Sequence, residues 1–240
     1  GHIPMAKLTP QTVQKFVFWR GNEAEFYKSP ITGVKPSESS ANLCVAKLGV
    51  LWKYAKFQGQ TSGESPITGL RKYKQKARKV LPTIVALEAL REVSQESRTS
   101  QWLMGVIEFA YCTSHRIMDI LQIENKNIDD EGILIWDSKG QKYVKRLWSE
   151  RLKSVVNFFQ KETGVSNMKY LVSNYKGERI LYGRHNYAYK LTITEAKLRY
   201  PELDFDFHFH DIKAAAISGW TGSVDDKQMF STHKSRSMIG

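Results

Sequence analysis

The sequence predicts a mainly α-helical protein with one small antiparallel β-sheet, an α+β fold. Three observations carry that expectation. Apolar residues recur at three- and four-residue spacing through most of the chain. One pair of β-forming stretches, GILIWDS and KYVKRLW, flanks Lys139 and Gly140, a hairpin signal. Pro-, Gly- and Ser-rich punctuation then separates a short N-terminal set of helices from a longer remainder. With 240 residues, 41% of them hydrophobic, the chain is too apolar for a disordered protein and long enough for one large domain or two smaller ones.

Residues 1–5, GHIPM, read as a cloning remnant, so His2 is left out of any site. Thr9, with Pro10 in the first helical position, starts TPQTVQKFVFWRG, where Val13, Phe16 and Val17 share a face; Gly21 marks its stop. After a Pro-, Gly- and Ser-rich loop, ANLCVAKLGVLWKYAKFQG sets Leu43, Ala46, Leu48, Val50, Leu51, Tyr54 and Ala55 at helical spacing. The segment LRKYKQKARK, residues 70–79, gathers Arg71, Lys72, Lys74, Lys76, Arg78 and Lys79 around Tyr73 with no sustained apolar stripe, and reads as an inter-domain linker. Pro82 opens a second helical domain near residue 80. The next long helical pattern is broken near Cys112 to Ser114, the hairpin follows, and RLKSVVNFFQKETG returns to helix. FDFHFHDIKAAAISGWTG then leads into a helix of small residues, with His210 and Lys213 at its start.

Charge and composition narrow the function classes. Lys and Arg exceed Asp and Glu by 36 − 24 = 12, and a polyanion such as nucleic acid is the partner that such an excess favours. The six cations of residues 71–79 form the natural backbone-contacting set. No stretch approaches the roughly 20 apolar residues that span a bilayer, and no charged-then-apolar leader is present, so a cytosolic protein is expected. Cys44 and Cys112 lie in apolar helical stretches without a CxxC spacing, which fits buried thiols rather than disulfides or zinc.

The candidate chemistry lies in a scattered set. Arg116 is at a helix start, and Asp119, three residues on, shares its face and can orient the guanidinium. Lys139 is at the hairpin tip, His210 and Lys213 flank a helix start, and His233 lies in KQMFSTHK. These are cations and proton donors without a central acidic base. They suit a pentavalent phosphate, whose equatorial oxygens gather negative charge, and serve proton abstraction from carbon poorly. A competing reading takes His208 and His210 as alternating metal ligands with Asp204 or Asp206, although no HExxH or cysteine pair completes such a site.

In order along the chain, AYCTSHRIMDILQIENKNIDDEGILI, DSKGQKYVKRLW, FHDIKAAAISGW and STHKS resemble the motif boxes of the tyrosine recombinases, specifically the phage integrase family. The first box supplies Arg116, Asp119 and the Ile128–Asp129 pair. The hairpin supplies Lys139, with Lys142 as the alternative if the turn is registered differently. The second box, His-x-x-Arg, is matched by His210 with Lys213 in place of Arg. The "GH" box is matched by His233, with Thr232 in place of Gly. The resemblance also covers LTPQTVQKFVFWR and SSANLCVAKLGVLWKYAKFQG, which are similar to the last helices of a core-binding domain.

The resemblance implies a tyrosine recombinase catalytic-domain fold preceded by a small helical unit. Its divisions are a partial core-binding domain at 6–62, a basic linker at 63–80 and a catalytic domain at 81–240, cut short before the nucleophilic tyrosine. It implies site-specific recombination of double-stranded DNA for viral genome integration, through a 3′-phosphotyrosyl intermediate, with no metal or other cofactor. Arg116 and Lys213 would neutralise phosphate oxygens with His233, Lys139 would protonate the departing 5′-oxygen, and His210 would take the tyrosine proton or hold the phosphate. His208 would be a supporting core residue, and the two domains would clamp duplex DNA. A tetramer on DNA is implied for a full-length protein, a monomer for this piece, and a bacterial host cytoplasm, nucleoid-associated, for both. The nucleophile is expected beyond Gly240, because no tyrosine follows Tyr200 and Tyr182, Tyr187 and Tyr189 match no family position. A DNA-binding regulator that does not cleave, and a metal-dependent hydrolase built on His208 and His210, are the alternatives.

Overall fold

The computed structural model describes residues 4–23, 37–74, 81–97, 100–162, 168–174 and 176–231. The chain divides into two compact units, Gly1–Arg78 and Lys79–Gly240.

In the first unit, α1 (Pro10–Phe18) starts as its residues dictate. The Thr9 hydroxyl accepts from the Thr12 amide at 3.2 Å, and Pro10 needs no amide partner at the first position. Val13 and Val17 are buried, whereas Phe16 is 41% exposed. The helix does not run on to Gly21 but ends at Phe18 in a wider turn, Trp19–Glu23. Gly21 leaves room there for the Tyr73 ring, which a Cβ at that position would push aside.

Helix α2 (Glu38–Phe57) is capped by the Ser37 hydroxyl, which accepts from the Ser40 amide. Its buried face is Ala41, Val45, Trp52 and Ala55, with Leu48 partly buried, while Leu43, Val50, Leu51 and Tyr54 are exposed. The sequence placed several of those exposed residues inside. The helix is apolar on more than one side, so spacing alone did not select the face that packs.

The segment read as pure linker contributes to this unit. Ile67, Leu70 and Tyr73 pack on the Val13–Val45 core, and the Asn42 amide bonds both the Tyr73 carbonyl (2.8 Å) and the Tyr73 amide (3.1 Å). Arg71, Lys72 and Lys74 remain exposed on either side of Tyr73. Lys76, Arg78 and Lys79 lie outside the described residues.

The second unit is built around α4 (Trp102–Thr113), whose Leu103, Val106, Ile107, Phe109 and Ala110 are all buried. It packs against α3 (Ile84–Glu96), α6 (Glu150–Glu162) and α8 (Phe209–Ser218). Helix α3 starts two residues beyond the predicted Pro82 opening, with Thr83 as its cap. Strands β1 (Gly132–Asp137) and β2 (Lys142–Leu147) form a two-stranded antiparallel sheet, from Gly132 opposite Leu147 to Asp137 opposite Lys142. Helix α7 (Tyr182–Arg199) and α9 (Val224–Ser231) also belong to the unit.

No helix among the described residues is long and apolar enough to cross a membrane. Cys44 and Cys112 are free and partly rather than fully buried. Burial, reinforced by Glu108, pushes the Cys112 thiol up to about 12.

Candidate active site

The end of α4 aims the first cation. Ser114 adopts a left-handed conformation (φ 54°) and stops the helix, and its hydroxyl donates to the Phe230 carbonyl at 2.8 Å. The chain therefore turns at His115, and Arg116 becomes the N-cap of α5 (Ile117–Ile120). Arg116 Nη1 donates to Asp137 Oδ1 at 2.9 Å, while Asp119 Oδ2 stands at 3.9 Å. Asp119 is thus not the nearer partner of Arg116, as its spacing implied. Its Oδ1 accepts instead from the Ser138 amide at 3.3 Å, at the entry to the hairpin turn.

Asp137 was missed, although a signal existed. Ile133, Ile135 and Asp137 alternate onto the buried face of β1, and a carboxylate on such a face requires a cation. It is 2% exposed. The turn beyond it holds Lys139, which is exposed, and Gly140, where any side chain would collide with the Asp137 carboxylate. Gln141 takes φ 54° and donates to the Ser138 carbonyl. Lys142 lies opposite Asp137 in the ladder and is also exposed. The Lys139 charge reaches His210, whose pKa it helps to lower.

Residues 204–208 form neither helix nor strand, and along them Phe205 and Phe207 are buried while Asp204, Asp206 and His208 are exposed. Helix α8 begins at Phe209, with the His208 amide donating to Asp211 Oδ2 at 2.7 Å. His208 is therefore exposed at a helix cap, not the packed core residue expected, and His210 belongs to a helix rather than to the same strand face. Among the described residues, no three His, Cys, Asp or Glu side chains gather as a metal site requires. Burial holds His210 below its ordinary value, with Arg116 and Lys213 adding to the shift.

Lys213, one turn beyond His210, is 5% exposed and donates to the Ser231 carbonyl at 2.9 Å. Burial first, then Arg116, lowers it to about 8, against the opposing pull of Asp137 and Asp119. Two further basic groups surround it. Arg146 from β2 donates to the Phe230 carbonyl and lies 5.2 Å from the centre of the Phe230 ring. His115 donates from Nδ1 to the Thr113 carbonyl at 2.9 Å, and burial holds it down to about 3, so it is neutral. Neither carried a sequence signal beyond its residue type. His233 lies outside the described residues.

Arg116, His210 and Lys213 line one open cleft of about 950 Å³. Its walls include Tyr182, Tyr189 and the exposed Lys190. His185 is buried between Tyr182 and Tyr189 and meets Phe209 edge-on at 4.6 Å; burial lowers it to about 4. The arrangement can bind an anion through Arg116 and Lys213 and accept a proton at the neutral imidazole of His210.

No family model matches the sequence, and no curated protein matches it significantly. Solved structures do match in fold. A lambda integrase dimer bound to a COC′ core site superposes with TM-score 0.78 at 17% identity, over 100% of this chain and 65% of that one. A lambda integrase tetramer bound to a Holliday junction gives 0.76 at 16% identity, over 99% of this chain and 67% of that one. The Tn1549 transposon integrase in complex with circular intermediate DNA gives 0.73 at 14% identity, over 100% and 82%. The chain spans about two thirds of the length of the lambda integrase chains, and its fold is the tyrosine recombinase catalytic-domain fold.

Proposed function

We propose that this chain is the catalytic domain, with part of the core-binding domain, of a phage-type tyrosine recombinase that integrates DNA. The observation that carries the reading is the convergence of Arg116, His210 and Lys213 in one cleft, within reach of the Lys139 charge. The fold shared with DNA-bound integrases supports it. The proposed divisions are a core-binding part at 6–62, a basic linker at 63–80 whose Ile67, Leu70 and Tyr73 pack on that part, and a catalytic domain at 81–240.

In the proposed reaction a tyrosine hydroxyl attacks the scissile phosphorus and passes its proton to His210, which is neutral and able to accept it. The 3′-phosphotyrosyl bond forms as the bond to the 5′-oxygen breaks, and Lys139 supplies the proton that oxygen takes. Arg116 offers a guanidinium face to two phosphate oxygens. Lys213 has three hydrogens; one is engaged by Ser231, leaving two for phosphate. The phosphodiester energy is retained in the protein–DNA link, so the reverse steps religate without a nucleotide cofactor. This reading assigns the nucleophile to a longer chain, beyond Gly240, and a tetramer on DNA to that longer protein.

Mobility shift with duplex DNA tests the binding half. The 240-residue chain should bind, and Arg116→Ala should leave affinity within several-fold, because many phosphates share the binding. Failure to bind duplex DNA at low salt would refute the reading.

A further inference from the structure

We propose that Asp137 is the positioning residue of this site, holding Arg116 in register with the hairpin that carries Lys139 so that phosphate clamp and leaving-group acid align as one unit. The proposal rests on the recombinase reading. Its geometric basis is the 2.9 Å ion pair from Asp137 Oδ1 to Arg116 Nη1, set in a buried position. Asp137 ends β1, two residues before Lys139, so the carboxylate that touches the guanidinium is fixed to the turn that presents the lysine. Gly140 lets the turn backbone close over that carboxylate. Asp119 reinforces the link from the other side, through the Ser138 amide, while standing 3.9 Å from Arg116.

Lys213 is turned into a reporter by the same arrangement. It is surrounded by Arg116 and Asp119 from the α5 region, by Asp137 and Arg146 from the hairpin, and by His115 and His210. Asp137 is first among the acids that sustain its charge. Removing that negative charge while retaining shape, in Asp137→Asn, must make Lys213 easier to deprotonate and reduce the ion pair that anchors Arg116 to a neutral hydrogen bond. A residue that served only folding would lower the amount of folded protein and leave the rate per folded molecule unchanged.

The test uses two readouts. In the longer chain that carries the nucleophile, Asp137→Asn should slow formation of the covalent DNA adduct by at least about tenfold, since small misplacements of a catalytic group carry such losses. It should shift the alkaline fall in rate to lower pH and keep duplex affinity within several-fold, and Asp137→Glu should recover part of the rate. In the 240-residue chain, ¹³Cε-lysine NMR should show the Lys213 midpoint falling in Asp137→Asn. An unchanged rate and pH profile in Asp137→Asn, alongside loss of the adduct in Arg116→Ala, would overturn the Asp137 role and leave the recombinase reading intact. A wild-type longer chain that forms no adduct would overturn that reading instead, and an unchanged Lys213 midpoint would then overturn the role of Asp137 as well. Should Asp137→Asn fail to fold, Gly140→Ala displaces the carboxylate without removing it and is held to the same two readouts.

Discussion

The Lys213 ammonium donates to the carbonyl oxygen of Ser231, the last residue of α9, at 2.9 Å. The proposed phosphate-binding lysine therefore also holds the helix that leads toward His233.

Because burial lowers Lys213 to about 8, it loses charge at a pH where an exposed lysine keeps it. The contribution of this cation to DNA binding is complete well below pH 8 and lost above it. The log–log salt slope for duplex binding should shrink by about 0.9 between pH 7 and pH 9.5, the share of one phosphate contact. Lys213→Arg stays charged throughout and should abolish the change. A wild-type slope independent of pH would remove Lys213 from the phosphate-binding set.

His210 should be neutral at pH 7 in the free protein, since partial burial and the cations Arg116, Lys213 and Lys139 depress it. Imidazole ¹⁵N shifts would report this directly. Adding duplex DNA should raise the midpoint, as a phosphate enters beside the ring. A midpoint that stays put on DNA binding would separate His210 from the phosphate.

Arg71, Lys72 and Lys74 stand exposed on a segment pinned through Tyr73. If about six phosphates are engaged in all, the salt slope should be near −5, and neutralising these three together should flatten it by roughly 2.7. The loss should be alike for all duplex sequences. Loss confined to one sequence would point to base readout.

Acid should destabilise the second unit through two buried imidazoles. His115 and His185 are held down to about 3 and about 4, so below pH 6.5 the unfolded chain binds protons that the folded chain refuses. Stability should be fully present above pH 6.5 and decline toward pH 4, by on the order of 3 kcal/mol or more. His185→Phe, which keeps an aromatic ring beside Phe209, should flatten that decline in denaturant melts recorded across the pH range. An equally steep decline would contradict the burial argument.

The elements of the fold were legible because each carried its own local chemistry: Thr9 and Pro10 at a helix start, and β-formers around Lys139 and Gly140. The packed face of α2 was not legible, since Leu43, Val50 and Leu51 are as apolar as the residues that packed. Arg116, His210 and Lys213 were legible as an ordered series of boxes, and the structure brings them to one cleft. The anchor of Arg116 was misread because Asp119 is near in sequence, whereas Asp137 becomes near only when the hairpin folds back, 21 residues on. Arg146 and the Ser231 carbonyl were hidden for the same reason.

Capture of a covalent protein–DNA adduct tests the central claim most directly. A longer chain that extends past Gly240 would be incubated with nicked duplexes of randomised sequence, denatured, and the retained DNA sequenced. The account predicts a denaturant-resistant, protease-sensitive adduct on a tyrosine beyond Gly240, no adduct with the 240-residue chain, and none with Arg116→Ala. An adduct formed by the 240-residue chain or mapped to Tyr182, Tyr187 or Tyr189, or none from the longer chain despite DNA binding, would contradict it.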